Sequence, residues 1–455
     1  MKIIKNIAII LSLLITNISC DNFLEVHPEG EILGQDLLTE RKGFENAMYG
    51  VYASMRENNL YGRNMTYRVF DVMAQYFQPS EDKTLIDLAK FNYYQNTDVK
   101  KIFLDIWSSM YQKISYVNNI LINLENQSPE TLKFYDIYKG EALGLRAFMH
   151  FDLLRIFAKQ ETKTDTKGIV YNTAFSVKPS DLLTKEQVLQ KIISELREAE
   201  RLLDNQELYD QATENDAYFR NQNTHFNLYA ARATLARVYM TIGNTDSAYY
   251  YAYKVIKESG LSLVDKTEIR DDNNGILSDK ETIFGLYSND LYATSKTDLY
   301  DITTYSMTPR IDINEIYSNT DFRKGAWFKQ LNKLRVIKLT DKIQLEGGSR
   351  PENQIPGVNL LRLPEMYYII AECLLQNGDN QAKDYFNDIL ISRGLAPIDN
   401  LTLPMITDDR YKEFIGEGQS FFNMKRLNLD INTNTPASDN IYVINIPEEE
   451  FNYRY

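Results

Sequence analysis

Two cysteines, two tryptophans and three histidines are all that 455 residues contain, and each scarcity removes a class of protein. A single pair of cysteines cannot build the disulfide framework of a small secreted module. The three histidines, His27, His150 and His225, belong to no HExxH pattern, and no CxxC occurs, so no zinc signature is present. A GxSxG elbow, a Walker loop and a dinucleotide fingerprint are likewise missing. No apolar run reaches the roughly 20 residues that a membrane-spanning helix needs. Basic residues number 50 against 63 acidic ones, a net charge of −13, which repels nucleic acid and anionic lipid surfaces. Carboxylates are plentiful enough for a glycosidase, but no spacing singles out a catalytic pair. These readings predict no metal, no cofactor and no enzyme activity.

What the chain does have begins at its first residues. Lys2 and Lys5 precede a short apolar core from Ile7 to Ile15, and the small Ser19 stands before Cys20. That is the layout of a secretory signal, and the position of Cys20 predicts a lipoprotein: cleavage after residue 19 and lipid on the Cys20 thiol. Asn17 stands where bacterial lipoproteins usually carry Leu. Loss of residues 1–19 takes two lysines and no acids, leaving −15. The second cysteine, Cys373, lies in "YYIIAECLLQ" and is expected to be a small buried hydrophobe.

Beyond the signal the spacing is largely helical. In "KIFLDIWSSMYQKISYVNNILINLEN" (101–126), Ile106, Met110, Ile114, Val117 and Leu121 form one apolar stripe. The next helix, "YKGEALGLRAFMHFDLLRIFA", is apolar nearly all round and should lie central in the helical layer, its few polar groups paired. Thr184 and Gln187 have the spacing of a capping box before "VLQKIISELREAERLL". Two segments then read as tetratricopeptide-like hairpins. Ala236, Tyr239, Gly243, Ala248, Ala252 and Val255 mark the first; Ala371, Leu374, Gly378, Ala382 and Phe386 mark the second. Each hairpin leaves an apolar face that needs neighbours, so more than two helical pairs are implied. The expected scaffold runs over 101–158, 184–258 and 361–393. In "FIGEGQSFFNMKR" the acids are expected to pair with Lys425 and Arg426 at a helix end.

Stretches at 60–98, 160–180, 205–223 and 261–358 lack helical rhythm and hold many of the 32 tyrosines. Long irregular segments inside a compact protein are usually functional, and a tyrosine offers a flat apolar face with one hydroxyl. The ligand surface is therefore expected on 60–98 and 287–330. Its candidate residues are Tyr76, Tyr93, Tyr94, Tyr292, Tyr300, Tyr305 and Trp327, with Asn96, Asp98 and Asn289 as hydroxyl partners.

The order of motifs resembles the SusD/RagB family of nutrient-binding outer-membrane lipoproteins. "CDNFLEVHPEGEI" and "AMYGVYASM" are similar to the family's opening. Trp107, Tyr111, Ile114 and Asn118 match one helix motif; Glu141, Ala142, Leu145, Arg146 and Ala147 match a second; Arg362, Glu365, Tyr367, Ala371 and Glu372 match a third. "DDRYKEFIGEGQSFFNMKRL" resembles the family's acidic-basic signature through Arg410, Glu413, Glu417, Lys425 and Arg426. Asp409, Gln419, Asn423 and Leu427 replace its usual residues. The closing "NIPEEEFNYRY" is similar to the family's terminus, with Asn452 early.

The resemblance implies a mainly α fold, residues 20–455 as one SusD-like domain, and tetratricopeptide-like hairpins carrying a loop-rich binding region. It implies a glycan-binding role at the cell surface, a lipid anchor in the outer membrane and a TonB-dependent transporter barrel as partner. It makes the matched residues fixtures of the fold and carries over no ligand contact by position. A peptide-importing lipoprotein of the same type, a helical-toroid glycosidase and a plain tetratricopeptide scaffold are the other readings weighed. Two tryptophans are few for the glycosidase, and a plain scaffold leaves the long tyrosine-rich segments unexplained.

Overall fold

Helix-capping residues punctuate the chain, and the structure follows them. The computed structural model describes residues 38–452 apart from 80, 162–164, 177–179, 213–215, 302–306 and 432–434. Cys20 and the signal segment lie outside the described residues. Among those, the helices of nine or more residues are α1 (Arg41–Met55), α2 (Thr97–Leu124), α3 (Tyr135–Phe157), α4 (Lys185–Leu203) and α5 (Leu228–Thr241). They continue with α6 (Thr245–Glu258), α7 (Leu363–Gln376), α8 (Ala382–Ser392), α9 (Leu403–Glu413) and α10 (Gln419–Leu427).

From α2 to α8 each helix packs on the next, giving one continuous row of helical pairs. Thr184 and Gln187 form the expected reciprocal capping box, while Asn96, Asn227 and Asn244 cap α2, α5 and α6 through their side-chain oxygens. Gly243 and Gly378 turn the two hairpins at φ 76° and 71°, in the left-handed region that glycine enters without steric cost. The central helix is α3, of which only Tyr135, Asp136 and Lys139 escape burial. Its polar groups are paired as its surroundings demand: Glu141 accepts from Tyr52 and Tyr218, Arg146 forks onto Glu195, and Arg155 pairs Asp152.

The strands are short. β1 (Phe77–Pro79) pairs antiparallel with β6 (Met307–Pro309), β2 (Lys167–Val170) with β3 (Leu182–Thr184), and β7 (Phe328–Gln330) with β8 (Leu334–Val336). β9 (Ile355–Arg362) lies between β4 (Ile276–Leu277) and β5 (Thr282–Tyr287) and leads straight into α7. The segments read as irregular are therefore only partly so. Residues 60–98 hold a π-helical turn at Asn64–Arg68 and short helices at Val69–Met73 and Lys83–Ala89, and α2 begins four residues before the expected start. Five strands and the first half of β9 lie within 261–358.

Candidate functional site

The two segments expected to carry the ligand surface meet at one carboxylate. Asp298 lies in a π-helical turn, Lys296–Tyr300, and faces the turn at Asn64–Arg68. The Arg63 fork donates to both Asp298 oxygens at 2.6 Å, the Tyr67 hydroxyl donates at 3.2 Å, and Arg68 stands 3.5 Å away. Arg68 also donates to Asp82 at 2.9 Å. Asp298 is buried, and a bidentate pair out of water fixes both turns relative to each other. Burial works against the Arg63 charge, but Asp298 outweighs it and raises the Arg63 pKa. The β1–β6 pairing closes the same seam a few residues further on. Single π turns inside helices recur at functional positions.

The segment that runs up to this tied base, residues 287–300, carries a shelf of partly exposed aromatics. Tyr287 is 47% exposed and lies under the Arg56 guanidinium. Tyr292 and Tyr300 are half-buried and lie within electrostatic range of Lys296 Nζ, which donates to both oxygens of Asp301 at 2.6 and 2.7 Å. That bond to Asp301 raises the Lys296 pKa. Asn289 and Asp290 are exposed beside them. Flat rings next to amide, carboxylate and ammonium groups can stack on a polar ring and bond its hydroxyls. Tyr287, Arg63 and Lys296 were not singled out from sequence. Tyr287 had a signal: it closes the strand-forming apolar run "TIFGLY" just before the polar "SND".

Other expected ligand residues are placed elsewhere. Tyr76 is 0% exposed, its ring stacked 4.1 Å from that of Tyr411 and its hydroxyl bonded to Ser420, so it is a core residue. Tyr93 is 1% exposed and donates to the Ile441 carbonyl at 2.7 Å. Asn96 caps α2, and its amide donates to Asp87; Asp98 is exposed in the first turn of that helix. Trp327 is 7% exposed, its ring covered by Lys338 Nζ at 4.0 Å. The rings of Tyr76, Tyr93 and Trp327 and the Asn96 amide are thus already used within the fold. Tyr94 is exposed but bonded to the Val443 carbonyl, away from the shelf. Tyr305 lies outside the described residues.

Concavities among the described residues include two larger ones. A cleft of about 1170 Å³ runs between the start of α2, the segment around Lys159–Gly168 and residues 443–451, with Tyr94, Phe103, Phe157 and Phe451 among its apolar lining. A polar pocket of about 320 Å³ is lined by Trp327, Lys338, Asn274, Asn359, Arg362 and Arg393, among others.

That second pocket is floored by a buried lattice of charge. Glu413, on α9, accepts from Arg323, Arg362 and Arg393; Arg362 also reaches Glu281 and Glu417; Lys338 donates to Glu417. Glu417, the acid of "FIGEGQSFFNMKR", therefore does not pair with Lys425 and Arg426 as expected. Arg426 forks onto Glu372 of α7, and Lys425 donates to the carbonyls of Arg155, Ile156 and Ala158 at the end of α3. Burial, then Lys185 and Arg155, push the Lys425 pKa down to about 7. The remaining motif residues are tied similarly. Trp107 donates to Glu450, Tyr111 to the Val170 carbonyl and Asn118 to the Asn172 and Ala174 carbonyls, while Glu365 holds Arg237 and stands 4.0 Å from Arg410.

Among the described residues no group of three or more His, Cys, Asp or Glu side chains could hold a metal ion. His150 is fully committed: the Asn172 N–H donates to Nε2, so Nδ1 carries the proton and donates to the Arg146 carbonyl. Cys373 is buried and free, and burial pushes its thiol up to about 12. No described helix is long and apolar enough to cross a membrane.

Comparison with known proteins adds the family. A family model described as "Starch-binding associating with outer membrane" matches residues 22–240. "SusD-like protein P25" of Formosa agariphila is 20% identical over 266 residues, 57% of this chain and 47% of that protein. The chain thus spans about half the length of the curated relatives it matches, or less. A SusD superfamily structure from Bacteroides thetaiotaomicron superposes with a TM-score of 0.75 at 22% identity, covering 90% of this chain and 97% of the other. A further crystal structure, with xylogluco-oligosaccharide, gives a TM-score of 0.66 at 19% identity, covering 90% of this chain and 84% of the other. At such identities these superpositions speak for the fold, a helical body with tetratricopeptide-like pairs. A second family model, described as "SusD family", matches residues 157–455, well over half of the sequence, and so the chain belongs to the SusD family.

Proposed function

We propose that this protein captures oligosaccharides at the cell surface and passes them to a TonB-dependent transporter barrel, binding its ligand without cleaving it. The observation that carries this reading is the shelf of Tyr287, Tyr292 and Tyr300 on a base tied through Asp298. A rigid base matters because sugars bind shallowly, and ordering a loose loop would consume most of the gain. The family description and the relative solved with xylogluco-oligosaccharide support a glycan over a peptide. Lipid on Cys20 would anchor the body to the outer membrane, in line with the same description.

Isothermal titration against a panel of oligosaccharides and peptides tests the ligand. Binding in the micromolar to millimolar range is expected, with Tyr292→Ala and Tyr300→Ala each weakening it several-fold, about 1 kcal/mol per stacking ring. Parent-like binding by both variants would place the ligand off the shelf. For the partner, pull-down from detergent-solubilised outer membranes should recover a much larger barrel, and recovery of this protein alone would sink the transporter half of the reading.

A further inference from the structure

Away from the shelf, α3, α5, α7, α9 and α10 each send a charged side chain to one small cavity of about 30 Å³: Arg155, Arg237, Glu365, Arg410 and Arg426. Four guanidiniums meet three carboxylates here. Arg155 pairs Asp152, Arg237 and Arg410 share Glu365, and Arg426 takes Glu372. The three acids do not use all the donors. Nε of Arg155, Nη1 of Arg237, and both Nε and Nη1 of Arg410 are buried with no hydrogen-bond partner. None of these three residues is more than 8% exposed. A guanidinium cannot shed its proton to escape such a position, and a buried donor without an acceptor is costly.

We propose that a small monovalent anion, of chloride's size and charge, is held among these orphaned N–H groups. The volume, about 30 Å³, exceeds the roughly 10–15 Å³ that a water needs, so one small ion can be seated there. One positive charge is left over in the cluster, and Lys425 and Lys185 line an adjoining cavity that shares Arg155, Thr241 and Phe422. That excess favours an anion over a neutral water. Met240, Ile369 and Phe422 make part of the wall, and Arg155 stacks 4.1 Å from the Phe422 ring, so the site is poorly screened and a charge–charge contact there is strong. Burial lowers the pKa of both Arg155 and Arg410 despite their acidic partners.

Crystals of the parent protein grown or soaked in bromide should show an anomalous peak in this cavity. In solution, the thermal midpoint should rise saturably with chloride and fall, on the order of 2 °C or more, when gluconate replaces chloride at fixed ionic strength. Arg410→Gln removes the surplus charge and two orphaned donors, so its midpoint should no longer respond to chloride. Equal midpoints for the parent in chloride and gluconate, or an absent bromide peak, would assign ordered water to the cavity and overturn the proposal. Should the Arg410 variant not fold, the bromide map and the parent titration decide alone.

Discussion

Replacing Glu413 by glutamine is expected to remove about 3–5 kcal/mol of stability, a large share of what holds any domain together. The side chain is 0% exposed and accepts from Arg323 Nη1 at 3.0 Å, from Arg362 Nη1 at 2.8 Å, and from Arg393 Nε and Nη2 at 3.1 and 2.8 Å. Burial alone would push its carboxyl up. The three guanidiniums outweigh burial and hold it well below the usual carboxylate range. Glutamine keeps the shape and strips the charge. Its amide also turns two N–H donors toward groups that are themselves donors. The penalty is thus that of leaving buried cations uncompensated, not merely the worth of the lost bonds. Urea unfolding of the purified variant measures it as a lower midpoint at unchanged slope. A loss under about 1 kcal/mol would mean that Glu281, Glu417 and Asp409 carry the lattice without Glu413.

The second large effect is loss of stability in acid. Burial, opposed by the bond to the Arg146 carbonyl and reinforced by the Arg146 charge, takes the His150 pKa down to about 3, against about 6.5 for an exposed histidine. Between those values the unfolded chain binds a proton that the folded one refuses. Stability is therefore full above about pH 6.5 and drains away as pH falls toward 3. At pH 5 this single group removes roughly 2 kcal/mol, at 1.36 kcal/mol per pH unit. No compensating bond can form on protonation, because the Asn172 N–H already points at Nε2 and the Tyr171 ring stacks 4.0 Å away. His150→Gln should lose stability at pH 7 but show a flatter curve between pH 5 and 7. Parallel pH curves for the two proteins would rule out His150 as the acid-sensitive group.

The row of helices was readable in advance because its information is local. Small residues and Gly243 announced the α5–α6 hairpin, Gly378 the α7–α8 hairpin, Thr184 the start of α4, and the apolar run of α3 its central place. The shelf was readable only by segment. Tyr292, Tyr300 and Asn289 keep some exposed surface, but Tyr76 and Tyr93 are core residues, since a tyrosine ring buries as well as a phenylalanine once its hydroxyl finds a carbonyl or hydroxyl partner. Asn96 could have been assigned correctly: an asparagine followed by Thr-Asp-Val is an N-cap pattern, and reading it would have moved the start of α2 and removed Asn96 from the ligand set. The partners of Glu413 were beyond reach. Arg323 and Arg393 belong to elements 90 and 20 residues away, and no period or spacing connects them. The π turns around Asp298 are single turns of five residues, too short to write a pattern into the sequence.

The seams that bring the start and end of the chain together have a consequence in time. Asp71 accepts from the N–H groups of Gly416 and Gly418, 345 and 347 residues away. Trp107 reaches Glu450 across 343 residues, and Tyr93 reaches Ile441 across 348. A ribosome adding about 5–20 residues per second needs roughly 20–70 s to make the intervening chain. Throughout that interval the residues around Asp71 and Tyr93 have nothing to close against. Closing so long a loop costs little more entropy than closing one of half the length, so the delay is set by synthesis and not by the search. The N-terminal quarter therefore waits with apolar surface uncovered, in the state most open both to threading through a translocation pore and to aggregation. The last fifty residues decide when that state ends.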